Sequence, residues 1–385
     1  MKKAYRGARR LSVVAVGVAT TSLALTACAS SGGKAAGGTG NTSTSKLSPQ
    51  QAVAAAVAAL GKQSSIQIAI DVPMSQSQLE KVKDSSGTTP SPADAKALAS
   101  GSVFFTEASG KGESLDSTEA RTDPHNSLAV GLSFGSDTPV EVRYVDQNLY
   151  AHIDASGLLH DVGQPSSDAT QFNSTVSELN NYVPGLSAVG QGKWVEVTQS
   201  GLQSLSGLLK QAQNPASGGA AANPQQMQAD ILKLRTQVLA AIQSNSAAAS
   251  LGSSNGRTGY SVTVNLSGLV NTLVPEIQST LSDIPGFSSE ASNGLNRAKG
   301  SIPAGKSAVI DVYVSSNKLT EADLDLNQFS NEFGTALPLR LAFTSPGGPS
   351  APSGATTLDV SKLPALLGNL LGGLKQNSAG ASGTT

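Results

Sequence analysis

An alternation of apolar and polar residues between Ala308 and Leu326 constrains the fold of this chain more than any other pattern. Apolar residues occupy nearly every second position from Ala308 to Val314 and from Leu319 to Leu326, with Ser316-Asn317 between the two runs. A period of two places successive side chains on opposite faces of a strand, and a Ser-Asn pair suits a tight turn. The stretch therefore predicts an antiparallel hairpin with one buried and one solvated face.

Similar patterns predict further strands and helices from Ser48 onward. Ser48 precedes Pro49 as an N-cap precedes the first helical residue, and Gly61 ends the helix that follows. Hairpins rather than regular crossover helices join the strands, so we expect an α+β fold with a mainly antiparallel sheet and helices on one face. Further predicted strands are Ser65–Val72, Ser102–Thr106, Ser127–Phe134, Val140–Val145, Leu149–Asp154, Lys193–Val197, Gly259–Leu266 and Leu337–Phe343. Further predicted helices begin at Pro92 or span Ser166–Tyr182, Ser200–Gln211, Pro224–Ser244, Ser267–Leu281 and Ser361–Lys375.

Residues 1–27 have the three-part layout of an export signal. A basic start, Lys2 to Arg10, contains no acidic residue and is followed by an apolar run from Leu11 to Leu25. As a helix this run would be about 22 Å long, which is short of the ~30 Å hydrocarbon core of a bilayer. We therefore expect a cleaved signal peptide rather than a permanent membrane span.

The end of this leader, Leu25-Thr26-Ala27-Cys28, contains the single cysteine of the chain. These four residues resemble the lipobox of bacterial lipoproteins. The resemblance implies that Cys28 receives a diacylglycerol, becomes the first residue after cleavage and can also carry an N-acyl chain. The protein would then be anchored by lipid on the extracytoplasmic face of the cell membrane. The alternative is an ordinary secreted protein with a stray cysteine, and Arg9-Arg10 leaves the export route, general or twin-arginine, open.

Composition excludes some partners of the exported chain. All acidic residues lie beyond the leader, so the chain from Cys28 carries 21 Lys and Arg against 27 Asp and Glu, a net charge of −6. This balance argues against a nucleic-acid partner, which requires a basic surface. Once Cys28 is acylated, no thiol remains for a disulfide, and the fold must be held by packing alone.

The predicted organisation has four parts. After the leader, residues 28–47 form the lipidated cysteine and a flexible tether, because Ala29–Lys46 contains no large apolar residue. A tether of this length reaches roughly 25 Å from the membrane. Residues 48–375 form a single α+β domain with low-complexity insertions, and residues 376–385 form a disordered tail.

The ionisable residues that could form a catalytic or metal site do not make a convincing set. His152, Asp154, His160 and Asp161 suggest a metal site, but zinc requires three or four supported ligands, and solvated surface residues are the expected alternative. His125 is predicted to lie alone in a turn.

Patterns of catalytic and phosphate-binding sites give the same result. Asp323 and Asp325 resemble a carboxylate pair but fall on the polar face of an alternating strand, which predicts a solvated edge. The sequence contains no Gly-x-Ser-x-Gly nucleophile motif and no phosphate-binding Gly-x-x-x-x-Gly-Lys. We therefore expect a protein that is not an enzyme and that has no metal and no cofactor beyond the lipid on Cys28.

The order of elements resembles the LppX/LprA/LprF/LprG family of actinobacterial lipoproteins. The residues that carry the resemblance are Val142–Tyr150, Lys193–Val197, Ala308–Val314, Lys318-Leu319 and Asp323–Leu326. The resemblance implies a curved, unclosed half-barrel, like that of the periplasmic carrier LolA, with helices on its concave face and an apolar cavity for acylated lipids. The segments Pro73–Ala99, Asn214–Ala222 and Ser345–Gly354 have no obvious counterpart in that family.

Two functions follow as expectations. The first is binding of acylated lipids in the cavity for transport or presentation at the cell envelope. The second is a structural or regulatory envelope lipoprotein with a closed core, acting through protein contacts, because the same leucines could pack together. An unrecognised hydrolase has the least support. The sequence names neither the lipid nor a protein partner.

Overall fold

The computed structural model describes residues 47–84, 87–117, 119–120, 123–204, 237, 240–282, 289–329 and 336–362. Several predictions lie wholly or mostly outside these residues and stay predictions. They are the signal peptide, Cys28 with its tether, most of the Ser200–Gln211 helix, the Asn214–Ala222 loop, most of the Pro224–Ser244 helix, all but the start of the closing helix, and the tail from residue 376.

The described strands form one unclosed sheet, which confirms an α+β fold whose sheet is mostly antiparallel. Twelve strands follow the order β12-β6-β5-β4-β3-β2-β1-β11-β10-β9-β8-β7, and only β12 with β6 is parallel among these pairs. The strands are β1 Ser65–Asp71, β2 Gly101–Ala108, β3 Ser127–Phe134, β4 Asp137–Val145, β5 Asn148–Ile153, β6 Val195–Val197, β7 Ser246–Ser254, β8 Arg257–Asn265, β9 Ser307–Ser315, β10 Lys318–Asp325, β11 Pro338–Thr344 and β12 Thr356–Thr357.

Eight α-helices have bounds within the described part of the chain: α1 Pro49–Gly61, α2 Gln76–Leu79, α3 Pro92–Ser100, α4 Ala155–Asp161, α5 Ser166–Leu179, α6 Ser187–Gly190, α7 Leu266–Ser282 and α8 Ser289–Ser301. The predicted start of α1 is confirmed in detail. Ser48 Oγ accepts from the amide of Gln51 at 3.3 Å, and Gln51 Oε1 accepts from the amide of Ser48 at 3.0 Å. This reciprocal capping box satisfies two amides that the helix leaves unpaired.

The predicted hairpin turns are confirmed by backbone conformation. Asp146 and Gln147 have φ of 48° and 66°, and Ser316 and Asn317 have φ of 50° and 61°. Two successive positive φ angles define the type I′ turn, whose twist matches that of the strands it joins. The Ser316-Asn317 turn thus sets the register of the β9–β10 hairpin.

Some elements were not predicted. β7 contains mainly Ala and Ser, so it shows no alternation of large apolar residues, and α4 and α8 lack a clear apolar stripe. β7 forms because its backbone pairs with β8 from Ser246–Val264 to Ser254–Arg257. Backbone pairing of this kind leaves no hydrophobic period in the sequence.

Strand register assigns every side chain of the sheet to one of two faces. We call the side that carries Ile66 and Ile68 the helix face, and the side that carries Gln67 and Asp71 the polar face. On the helix face, Val57 and Leu60 of α1 belong to one core cluster with residues of β1, β9, β10 and β11. A second cluster joins α5 and α6 to β5 and β6 through Val176, Val189 and Val195. A smaller cluster joins α2 and α3.

Candidate functional site

Between the two helix-face clusters, strands β2, β3 and β4 present large apolar side chains to solvent. Val103 is 44% exposed, Leu128 37%, Val130 48% and Val142 38%. Register places them on one continuous surface, because Phe105 pairs with Val130, which pairs with Val142. The surface, which we call the apolar strip, consists of Val103, Phe105, Leu128, Val130, Leu132, Val140, Val142 and Tyr144.

In β3 the small residues are buried and the large apolar residues are exposed, although large apolar side chains are ordinarily the buried ones. Ser127, Ala129 and Gly131 are buried on the polar face, whereas Leu128 and Val130 on the helix face are exposed. The ring of Phe104 covers Gly131 so closely that an added Cβ would lie 2.4 Å from it. Large side chains therefore face the open side of the sheet, and small ones face the covered side.

The segment from Ser345 to Thr357 contributes to this cover, and we call it the strap. Ser345 Oγ donates to the carbonyl of Ser65 at 2.8 Å, and the carbonyl of Ser350 accepts from Arg143 at 3.1 Å. The amide of Thr356 then donates to the carbonyl of Trp194 at 2.9 Å. The strap thus contacts residues from β1 to the start of β6, and its contacts with Ser65 and Arg143 lie on the polar face.

The apolar strip is about as long as a short hydrocarbon chain. Three strands about 4.8 Å apart span about 10 Å between their axes, and five residues along a strand span about 13 Å. The α1 cluster bounds the strip on the β1 side, and the α5–α6 cluster bounds it on the β5 side. A surface of this size can accommodate an extended hydrocarbon chain.

A separate pocket of about 110 Å³ lies between α1 and strands β7 to β9. Its lining is almost wholly apolar and consists of Gln50, Val53, Ala54, Val57, Ile242, Gln243, Ser246, Ala248, Val262, Val264, Ile310 and Val312. For comparison, a dry cavity of about 150 Å³ admits a benzene molecule. This pocket therefore fits a small apolar group but not a pair of acyl chains.

The strand arginines all lie on the polar face, where each is paired with a carboxylate. Arg143 contacts Glu141 at 2.7 and 3.0 Å and lies 4.7 Å from the centre of the Trp194 ring. Arg340 contacts Asp71 twice at 3.0 Å. Arg257 contacts Glu321 at 2.8 Å. The apolar strip contains no guanidinium group that could bind an anion.

The prediction that Asp323 and Asp325 form a solvated edge is wrong. β10 lies between β9 and β11, so both aspartates are on an inner strand and half-buried. Burial raises the pKa of Asp323 to about 6, helped by the negative charge of Glu321 and opposed by Arg340. Asp325 instead accepts the amides of Asn327 and Leu337, each at 3.0 Å, which gives it a structural role.

The four residues considered for a metal site are not brought together. Asp154 caps α4 by accepting the amide of Gly157 at 2.9 Å, and His160, at the exposed end of α4, contacts only its neighbour Asp161, at 3.4 Å. The prediction of a solvated His152 is wrong, because its ring is half-buried and stacks on Trp194 with centroids 5.2 Å apart. Within the described ranges, no three His, Cys, Asp or Glu side chains are grouped as metal ligands. His125 contacts Asp146 at 3.1 Å.

Cys28, the one predicted site residue, lies outside the described residues. No helix in the described part of the chain combines the length and apolarity needed to cross a bilayer. The chain matches no family model, and it matches no curated protein.

Proposed function

We propose that this protein is a lipid-anchored extracytoplasmic lipoprotein that binds an acylated lipid on the apolar strip, for transport or presentation at the cell envelope. The observation that carries the proposal is the exposure of Val103, Leu128, Val130 and Val142 on one face of three adjacent strands. Patches of exposed apolar side chains on soluble domains mark ligand or partner sites, because burying them from water is favourable. In this proposal the sheet curves into a half-barrel, with the strip on its concave side between the two clusters.

Energetics favour a hydrocarbon ligand. Each buried methylene contributes about 0.8 kcal/mol, so ten of them contribute about 8 kcal/mol before the cost of ordering the chain. Such binding needs no polar recognition. The strip itself carries one polar side-chain atom, the hydroxyl of Tyr144, and Glu107 borders it opposite Leu128.

The anchor is the second part of the proposal. The leader and Cys28 support acylation at Cys28, and the predicted tether keeps the domain within roughly 25 Å of the bilayer. A domain held at this height can exchange lipid with the membrane without diffusing away. The proposed cofactor is therefore covalent lipid alone, and the proposed partners are the membrane and an acylated lipid.

A structural or regulatory lipoprotein remains the second candidate. The same exposed strip favours it, because apolar patches also bind proteins. In that case a protein partner covers Val130 and its neighbours, and purified protein carries no lipid.

A fluorescent fatty-acyl probe tests the site directly. Val130→Glu places a charge in the strip, and we expect at least tenfold weaker binding because a buried unpaired charge is costly. Val309→Glu is the matched control, since Val309 is 41% exposed and lies on the polar face of β9. Equal binding by the wild type and both variants would exclude the strip as the lipid site.

A further inference from the structure

The two edges of the sheet are built differently. At one edge, β12 has only two residues, and it ends the strap that ties it to the rest of the sheet. At the other edge, β7 has nine residues. Very short strands and covering segments are the usual protection of a sheet edge against pairing with another chain. The β12 edge is very short, whereas β7 is long.

β7 also lacks the side chains that protect an edge. Its sequence, Ser-Ala-Ala-Ala-Ser-Leu-Gly-Ser-Ser, contains no charge and no proline. Seven of its nine residues are exposed, including Leu251 at 52%. Among the described residues, the β7 backbone makes two hydrogen bonds outside the β8 ladder: the Ser246 carbonyl accepts from the Gln50 side chain, and the Gly252 amide donates to the Ser250 hydroxyl.

The regular part of the strand is its first half. Pairing with β8 shifts register between Ser250 and Gly252, where Gly252 has φ of 96°. This bulge twists the strand beyond Ser250. Ser246 to Ser250 therefore remains as a regular backbone segment centred on three alanines.

We propose that β7 pairs antiparallel with β7 of a second copy of this chain, so that two sheets join across a two-fold axis. In such a pair the residues near the axis face their own counterparts, so any charged residue there would meet a like charge. The alanine run places only methyl groups opposite each other. Arg257, the only charged residue of the neighbouring strand β8, is already paired with Glu321. The edge carries no charge that would select a charged peptide, and the pocket that Ser246 and Ala248 help to line lies on the helix face, away from Ala247 and Ala249.

The interface is small, because it rests on a short backbone pairing. We therefore expect association on a membrane, where anchored chains are concentrated, and concentration-dependent association in solution. The pairing itself is inferred from β7 and its surroundings and stands whether or not the apolar strip binds lipid, whereas its expected enrichment on a membrane rests on the proposed anchor at Cys28.

Cross-linking of the full chain in its own membranes tests the proposal. Ala247→Cys and Ala249→Cys place single thiols on the exposed polar face of β7, where cross-strand partners lie about 5–8 Å apart. A short bis-maleimide should then give a product of twice the chain mass. Thr263→Cys is the matched control, because Thr263 is exposed and pairs directly with Ala247 one strand further in. The wild-type chain, treated with the same bis-maleimide, is the control for any cross-linking through Cys28 itself.

Adding Ala249→Lys to the Ala247→Cys chain should reduce the cross-linked product at least fivefold, whereas Thr263→Lys should leave it unchanged. Labelling with a single maleimide confirms that each introduced thiol is accessible, and trypsin resistance confirms that each variant is folded. The proposal is overturned if accessible thiols in β7 give no dimer. It is also overturned if the product has the mass of another protein, or if Thr263→Cys cross-links equally well.

Discussion

Replacing Asp323 with Asn should stabilise the protein at neutral pH. Asp323 lies on an inner strand, opposite Arg340 on one side and Asp311 on the other. Burial is the largest cause of its raised pKa, and Glu321 adds repulsion that Arg340 only partly offsets. One of its carboxylate oxygens is buried without a hydrogen-bond partner among the described residues. Asn has the same shape and removes the charge.

The magnitude and its sign follow from the pKa. A rise from 3.8 to about 6 corresponds to about 3 kcal/mol at about 1.36 kcal/mol per unit. Because the group is only half-buried, solvent screening reduces this to about 1 kcal/mol. The folded state holds the proton more tightly than the unfolded state, so the charge destabilises the fold above pH 6. This effect fades between pH 6 and pH 4 and is absent below that range.

Urea unfolding at pH 7.5 and pH 4 measures this effect. We expect Asp323→Asn to raise the free energy of unfolding by about 1 kcal/mol at pH 7.5 and to change it little at pH 4. Asp325→Ala is the control, because Asp325 Oδ1 accepts two amides and removing this acceptor should destabilise the protein at neutral pH. A destabilisation by Asp323→Asn that is equal at both pH values would contradict an energetic cost of the ionised Asp323 carboxylate.

Three further predictions concern the core, a helix cap and the anchor. Leu60→Ala, in the fully buried α1 contact, should lower the free energy of unfolding by about 2–5 kcal/mol, whereas the exposed Val130→Ala should cost less than about 1 kcal/mol. Equal costs in urea unfolding would contradict the difference in burial between the two side chains. Ser48→Ala should cost about 1 kcal/mol by removing the cap of α1, and Ser48→Asp should retain most of it; an unchanged unfolding midpoint for the alanine variant would contradict the cap. Cys28→Ser should abolish metabolic labelling by fatty acids, and continued labelling would contradict acylation at Cys28.

Sequence patterns predicted most strands because alternation records which residues face a core. The β3 bounds Ser127–Phe134 match the structure, and the hairpin from Ser307 to Asp325 departs by only a residue or so at each end. β7 was missed because backbone pairing alone forms it. Asp323 was misplaced because a polar alternating face does not reveal whether its strand lies at an edge or inside the sheet.

The candidate site could not be predicted from β3 alone. Leu128, Val130 and Leu132 alternate with small residues, and this pattern ordinarily predicts that the large side chains are buried. Their exposure depends on long-range contacts, since Phe104 and the strap cover the opposite face. The strap joins residues more than two hundred positions apart, from Arg143 to Ser350, and no local pattern encodes such a contact.

The most direct test of the proposed function is native mass spectrometry of residues 29–385, purified without detergent from a host with ordinary phospholipids. Lipid binding on the apolar strip predicts an added mass of lipid size that is released on denaturation and is absent in Val130→Glu. A clean apo mass that persists after incubation with diacyl lipids would contradict lipid binding and would favour a protein partner on the strip.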